Sequence, residues 1–213
     1  LVPISWLKQY VPVELLPDDL AHLLTLSGTE IGGIRNIGSN WARDKIVVGR
    51  VVNVEPHPNA DRLNLPTVDI GEEETVTVVC GAANVAPGQK IVFAKEGAVL
   101  YNYRSKKLEP LKSTKIRGFN SVGMVSSELE LGLSEEHEGI LVLPDDAPVG
   151  MPLVEYLGDT IFDAEITPNR PDCLSIIGIA REVAAVTGLE VTEPPLDYQV
   201  SEEPIESHVT VEA

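Results

Sequence analysis

Three regimes of apolar and polar spacing divide the chain. Residues 5–43 read as helical: SWLKQYV makes a short amphipathic turn or two, and LPDDLAHLLTLSG sets Leu16, Leu20, Leu23, Leu24 and Leu26 along one face of a helix. Pro17 with Asp18 and Asp19 marks the start of that helix, because carboxylates favour the positive end of the helix dipole, and Gly28 marks its stop. His22 within it reads as a partly exposed helix residue. From Ile46 to about Leu143 the pattern changes to short runs rich in Val and Ile, broken by Gly and Pro: IVVGRVVNVE, LPTVDIG, TVTVVCGA, KIVFAKEGAVL, MVSSELELGL and GILVLP. Strands at this spacing, with no long helix among them, predict a small antiparallel barrel. No internal repeat stands out, which argues against a solenoid or propeller.

Beyond Pro152 the helical period returns. FDAEITPNRPDCLSIIGIAREVAAVTG predicts a strand over 161–166, a turn made by TPNRPD, and a helix from about Cys173 to Thr187 that stops at Gly188, with Asp172 or Ser175 as its cap. Its apolar positions Leu174, Ile177, Ala180, Ala184 and Val186 need a partner, and the nearest unpaired helical face is the leucine face of residues 16–26. The expected fold class is therefore α+β and multidomain. Residues 1–43 plus 152–190 form a split, mainly helical domain, and a β-barrel over 44–151 is inserted between its halves. Residues 191–213 read as an acidic linker ending in an orphan strand, SHVTVEA, the start of a following domain.

Composition narrows the classes. The 213 residues suffice for one large domain or two small ones, and no apolar stretch approaches the ~20 residues of a membrane helix. The start LVPISWLKQYV lacks the basic-then-apolar pattern of a signal peptide, and the missing initiator Met suggests processing or a chain cut for study. Cys80 and Cys173 lie far apart in apolar neighbourhoods, as reduced core thiols do, so a cytoplasmic protein with no membrane partner is expected. A net charge of −17 argues against indiscriminate binding to nucleic acid, whose affinity comes largely from Lys and Arg. Yet residues 101–117, YNYRSKKLEPLKSTKIR, hold six of the sixteen basic residues and a single acid, Glu109. Arg104, Lys106, Lys107, Lys112, Lys115 and Arg117 supply charge for phosphates, and Tyr101 and Tyr103 supply rings on which bases stack. The alternative is a charged hairpin that is simply solvated, and residues 44–151 as a whole hold eleven basic and sixteen acidic residues.

Signs of catalysis are scarce. EPHPNADRL, residues 55–63, is compatible with a metal site at His57, an acid–base pair of His57 and Asp61, or a turn between strands. None of His22, His57, His137 and His208 has a second His or Cys at ligand spacing, which favours the turn: Pro56 and Pro58 stiffen it, and Asn59 and Asp61 bond nearby amides. No glycine-rich phosphate loop is present, and Ser126 and Ser127 lack the glycines of a nucleophile elbow. Neither a catalytic nor a metal site is expected.

The segments VGRVVNVEPHPNADRL, VVCGAANV, GQKIVFA and IRGFNSVGMVSSELELGL, in that order, resemble the tRNA-binding domain related to endothelial monocyte-activating polypeptide, an OB-fold. The flanks VPISWLKQYV and FDAEITPNRPDCLSIIGIAREVAAVTG resemble the split first domain of the bacterial phenylalanyl-tRNA synthetase β chain. Together they cover roughly residues 2–190, and the combination is more specific than either half. The resemblance implies an enzyme of two α and two β chains that attaches phenylalanine to its tRNA with ATP and magnesium. Its aminoacylation centre lies on the α chain, and the β chain's editing, magnesium-associated and anticodon-binding parts would lie beyond residue 213. This chain would then be catalytically silent, without a cofactor of its own, an auxiliary region contacting tRNA weakly or only in the assembled enzyme. Asn59, Arg117, Met124 and Ser126 fall in the matching segments, and of these Asn59, Arg117 and Ser126 join the candidate tRNA contacts. Two other readings stay open: an independent OB-fold nucleic-acid-binding protein, and a protein-interaction scaffold.

Overall fold

The computed structural model describes residues 1–195, 197 and 203–211. The elements, in chain order, are β1 (Val2–Pro3), α1 (Ile4–Leu7), α2 (Pro17–Ser27), β2 (Glu30–Ile37), β3 (Ile46–Pro56), β4 (Asn64–Asp69), β5 (Val76–Thr77), β6 (Lys90–Lys95) and β7 (Val99–Asn102). There follow β8 (Lys107–Pro110), β9 (Thr114–Ile116), β10 (Phe119–Ser121), β11 (Gly123–Val125), α3 (Glu128–Leu131), β12 (Val142–Leu143), α4 (Leu153–Tyr156), β13 (Asp159–Glu165) and α5 (Ile176–Thr187), with 3₁₀ turns at Pro171–Leu174 and Ile205–Ser207. The chain is mixed α/β and divides into two compact units. One is built from Gly33–Asp163 and the other from Ile4–Gly32 with the described residues from Ala164 onward.

The β unit is organised by β3. Its first half pairs antiparallel with β6 (Ile46 opposite Ala94 through Arg50 opposite Lys90), and its second half with β4 (Arg50 opposite Asp69 through Pro56 opposite Asn64). A register shift between Val51 and Asn53 bends it, and a bend of this kind lets one long strand serve both neighbours of a curled sheet. The sheet runs β11-β6-β3-β4-β5, with β12 also on β6. Both faces of this sheet are buried, which explains the uninterrupted apolar run at its centre. Ile46, Val48, Val92 and Ala94 enter one core cluster with Trp41, Leu100, Leu131 and Leu153. Their alternating neighbours Val47, Ile91 and Phe93 enter a second with Val68, Val78 and Val125. Where the ladder stops, a side chain continues it: the buried Ser121 Oγ accepts from Val79 N at 3.1 Å and donates to the Gly123 carbonyl at 3.0 Å. The run MVSSELELGL is only a strand as far as Val125. Ser127 then caps α3 in a reciprocal box with Glu130, whose carboxylate accepts from Ser127 N at 2.7 Å, and Gly132 ends the helix in the left-handed region.

In the other unit α2 and α5 pack against each other, and α1 against α5. Gly28 and Gly188 close α2 and α5 with left-handed φ of 106° and 73°. Three expectations are corrected here. Residues 30–37 are strand rather than helix and join a three-stranded sheet of order β1-β13-β2, where the β-branched Ile31, Ile34 and Ile37 suit a pleated surface. The buried stripe of α2 is Leu20, Ala21 and Leu24, while Leu16 and Leu26, at its two ends, are exposed. α5 begins after the 3₁₀ turn, with Ser175 Oγ accepting from Gly178 N at 3.2 Å, so its buried residues are Ile179, Ala180 and Val183 and Leu174 points to solvent. The SHVTVEA strand is also absent from the described residues: a 3₁₀ turn holds Ile205–Ser207, residues 209–211 have no strand partner, and Glu212 and Ala213 lie outside the description.

Candidate nucleic-acid interface

Residues 99–117 form one hairpin and the first strand and opening turn residue of a second. In the first, β7 and β8 pair from Val99 opposite Pro110 to Asn102 opposite Lys107. Asn102 builds the turn between them: its Oδ1 accepts from the backbone N of Arg104 at 3.0 Å, and its own carbonyl accepts from Lys106 N at 2.8 Å. Lys106 takes a positive φ of 55°, the sort of position that turns reserve for Gly or Asn. Asn102 Nδ2 also donates to Glu109 Oε2 at 2.8 Å. Hydrogen bonds from Ser105 and Asn102, with the charges of Lys107 and Lys112 nearby, hold the Glu109 carboxyl below the usual range, so it is an anion at neutral pH.

The tip is aromatic as well as basic. Arg104 Nε donates to Tyr103 Oη at 2.8 Å, with the guanidinium carbon 5.4 Å from the ring centroid. Tyr103 in turn stacks on His137, ring centroids 6.2 Å apart and planes 27° from parallel. Beneath this tip lies an open groove of about 620 Å³, with an apolar floor of Leu100, Leu111 and Met124. Tyr101, Tyr103, Arg104, Lys112 and Glu109 line it. Such a mixture, rings and cations over an apolar floor, suits an unstacked nucleotide better than a duplex.

The second hairpin turns tightly at Arg117 and Gly118, both with positive φ (49° and 98°), as a two-residue turn between Ile116 and Phe119 requires. The 57–63 loop is clamped to it. Asn59 N donates to His57 Nδ1 at 3.0 Å, so the ring proton sits on Nε2, 3.4 Å from the Ile116 carbonyl. Asn59 Nδ2 donates to the Arg117 carbonyl at 3.2 Å. His57 is therefore a buried brace between β3 and the hairpin, and the stiff polar loop connects β3 to β4.

Of the residues singled out in the sequence, Tyr101, Tyr103, Arg104, Lys112 and Met124 come together in the groove. Lys106 and Lys107 are exposed on the first hairpin, and Lys115 and Arg117 on the second beside Asn59. None of these six basic side chains forms an ion pair among the described residues. Ser126 is corrected. It is fully buried, its N donating to the Val92 carbonyl and its own carbonyl accepting from Leu141 N, so no ligand reaches it. Sequence reasoning missed His137, Asn102 and Glu109 as parts of the tip. Only Asn102 left a signal, as a turn-forming residue between two strand-like runs.

The other unit holds a contrasting charge cluster. Arg170 Nη2 donates to Asp172 Oδ2 at 2.8 Å, Glu182 Oε1 at 2.7 Å and Cys173 Sγ at 3.2 Å. Ligand atoms of Asp172, Cys173 and Glu182 lie within 4.8 Å of one another, the spacing of a metal site. The guanidinium already supplies the cation there. It holds the Asp172 carboxyl down to about 2, and burial pushes the Cys173 thiol up, away from the thiolate a metal needs.

A curled antiparallel sheet with an open groove of rings and unpaired cations has the makeup of a binder of single-stranded or loop nucleic acid. The chain belongs to the family described as "Putative tRNA binding domain", whose model matches residues 46–152. It is similar along its length to proteins named phenylalanine–tRNA ligase beta subunit. The one from Dehalococcoides mccartyi (strain ATCC BAA-2266) is 44% identical over 211 residues, 99% of this chain and 26% of that protein. The one from Fusobacterium nucleatum is 46% identical over 215 residues, 100% of this chain and 26% of that protein. The chain thus spans about a quarter of the length of these relatives. Among solved structures, the C-terminal domain of Plasmodium vivax p43 matches 51% of this chain and 58% of its own at 26% identity and a TM-score of 0.35, too distant a likeness to carry a fold argument.

Proposed function

We propose that this chain is the N-terminal tRNA-contacting region of a phenylalanyl-tRNA synthetase β chain, and that it assists the enzyme without catalysing a step itself. The observation that carries the reading is the β7–β8 groove, where two tyrosines and two unpaired cations meet in a member of a tRNA-binding family. On this reading the β unit is an OB-fold barrel set into a split domain made from 1–43 and 152–190. The partners are tRNA and an α chain, in a cytoplasmic assembly of two α and two β chains. ATP and magnesium act in the complete enzyme, outside this region. Among the described residues no helix is long and apolar enough to cross a membrane.

The affinity is weak by construction. Three or four phosphate contacts give a log–log salt slope of roughly −2 to −3 for a non-helical ligand. That attraction works against a net charge of −17. A fluorescence titration of the chain with tRNA across salt concentrations tests the reading. Weak binding with that slope is expected, and submicromolar affinity near physiological salt would refute the auxiliary role. The rival reading, an independent nucleic-acid-binding protein, expects that tight affinity.

A further inference from the structure

We propose that the β7–β8 groove reads a base, and that Glu109 makes it prefer guanine. This rests on the tRNA-contact reading and adds a specificity to it. The groove holds two carboxylates, Glu109 and Glu130. Glu130 Oε2 accepts from both Ser127 N at 2.7 Å and Ser127 Oγ at 3.0 Å and so holds the α3 cap, which leaves Glu109 as the carboxylate carried by the β7–β8 hairpin itself. Glu109 is half-buried and anionic, and Asn102 Nδ2 fixes its Oε2 at 2.8 Å. An ionised carboxylate has about four lone-pair sites, so Glu109 keeps acceptor capacity after its bonds from Asn102 and Ser105.

A carboxylate in a phosphate-binding groove makes no sense as a backbone contact, because it repels phosphate. It makes sense as an acceptor for a base edge. Guanine is the base whose Watson–Crick edge presents two adjacent donors, N1–H and the 2-amino group, a match for a carboxylate fork. Adenine offers one amino group beside an acceptor, and uracil one N–H between two carbonyls. Arg104 and Lys112 line the same groove without a carboxylate partner among the described residues, which leaves their charge for the flanking phosphates, and Leu100, Leu111 and Met124 give the base an apolar bed.

The test uses the chain as it stands with labelled RNA tetranucleotides AAGA, AAIA and AAAA, where I is inosine, which lacks the 2-amino donor. AAGA should bind about tenfold tighter than AAAA, the size of one good bidentate base contact. AAIA should fall between them. Glu109→Gln should erase the order, while Lys112→Ala should weaken all three alike and keep it. Because the inosine comparison needs no protein variant, a fold defect in Glu109→Gln leaves the question answerable. Equal binding of the three RNAs, or an order that survives Glu109→Gln, overturns the guanine preference alone. Loss of all binding, with intact tRNA unbound as well, overturns the tRNA-contact reading too.

Discussion

The two units differ in where their cations are left without a carboxylate partner. In Ile4–Gly32 and the residues from Ala164 onward, the basic residues are Lys8, Arg170 and Arg181. Both arginines there are spent on carboxylates: Arg170 on Asp172 and Glu182, Arg181 on Glu193 at 2.7 Å. In the β unit, Arg43, Lys45, Arg50 and Lys95 are likewise paired, whereas Arg104, Lys106, Lys107, Lys112, Lys115 and Arg117, on two hairpins and the link between them, form no ion pair among the described residues. The net charge of −17 conceals this difference. What a cation is available to do depends on whether a carboxylate already satisfies it, and on that measure the hairpins are the basic surface of an acidic chain.

The largest effect should come from the core on which the hairpins stand. Phe93 is almost fully buried in the sheet. Phe93→Ala should cost about 3–5 kcal/mol, read as a fall in the urea midpoint followed by the fluorescence of the buried Trp41. Next, the double change of Arg104 and Lys112 to alanine should weaken tRNA binding about tenfold and flatten the log–log salt slope by roughly 1.4. Arg181→Ala, in the other unit, should leave both unchanged, and equal losses from the two variants would erase the contrast between the units. Smaller again, Ser127→Ala removes the α3 cap and should cost about 1 kcal/mol in the same urea experiment.

The smallest effect sharpens the Arg170 side. The Asp172 carboxyl is depressed from an ordinary 3.8 to about 2 by the Arg170 hydrogen bonds. A depressed folded-state value stabilises above the unfolded one and loses that contribution as pH falls through the folded one. The stability gap between the natural chain and Arg170→Met should therefore be level above pH 4 and shrink between about 4 and about 2. The gap is modest and salt-sensitive, since the Asp172 side chain is 53% exposed. A gap that does not narrow in acid would show that Arg170 acts through packing alone.

Local chemistry was legible in the sequence where it is written in neighbouring residues. Gly28 and Gly188 read as helix stops, Ser175 as one of two candidate caps and EPHPNADRL as a connector, because each is decided within a few positions. What depends on distant partners was not. Glu30–Ile37 looks helical because the strand it pairs with, β13, lies near residue 160. Ser127 and Glu130 spell a capping box inside a strand-like run, where apolar content masks the signal. Of the site, charge and rings were visible along 101–117, but the His137 stack and the Glu109 turn exist only once the chain closes on itself. Ser126 stood in a matching segment, yet a position in sequence does not reveal which face of a strand end is buried.

The most direct test follows the backbone amides of isotope-labelled chain by NMR while tRNA is added. The largest shifts should fall on residues 99–117, His137 and the Arg117–Gly118 turn, and they should fade as salt rises. Shifts confined to α2, α5 and the Arg170 turn, with the hairpins unmoved, would contradict the claim that the unpaired cations of the β unit carry the contact.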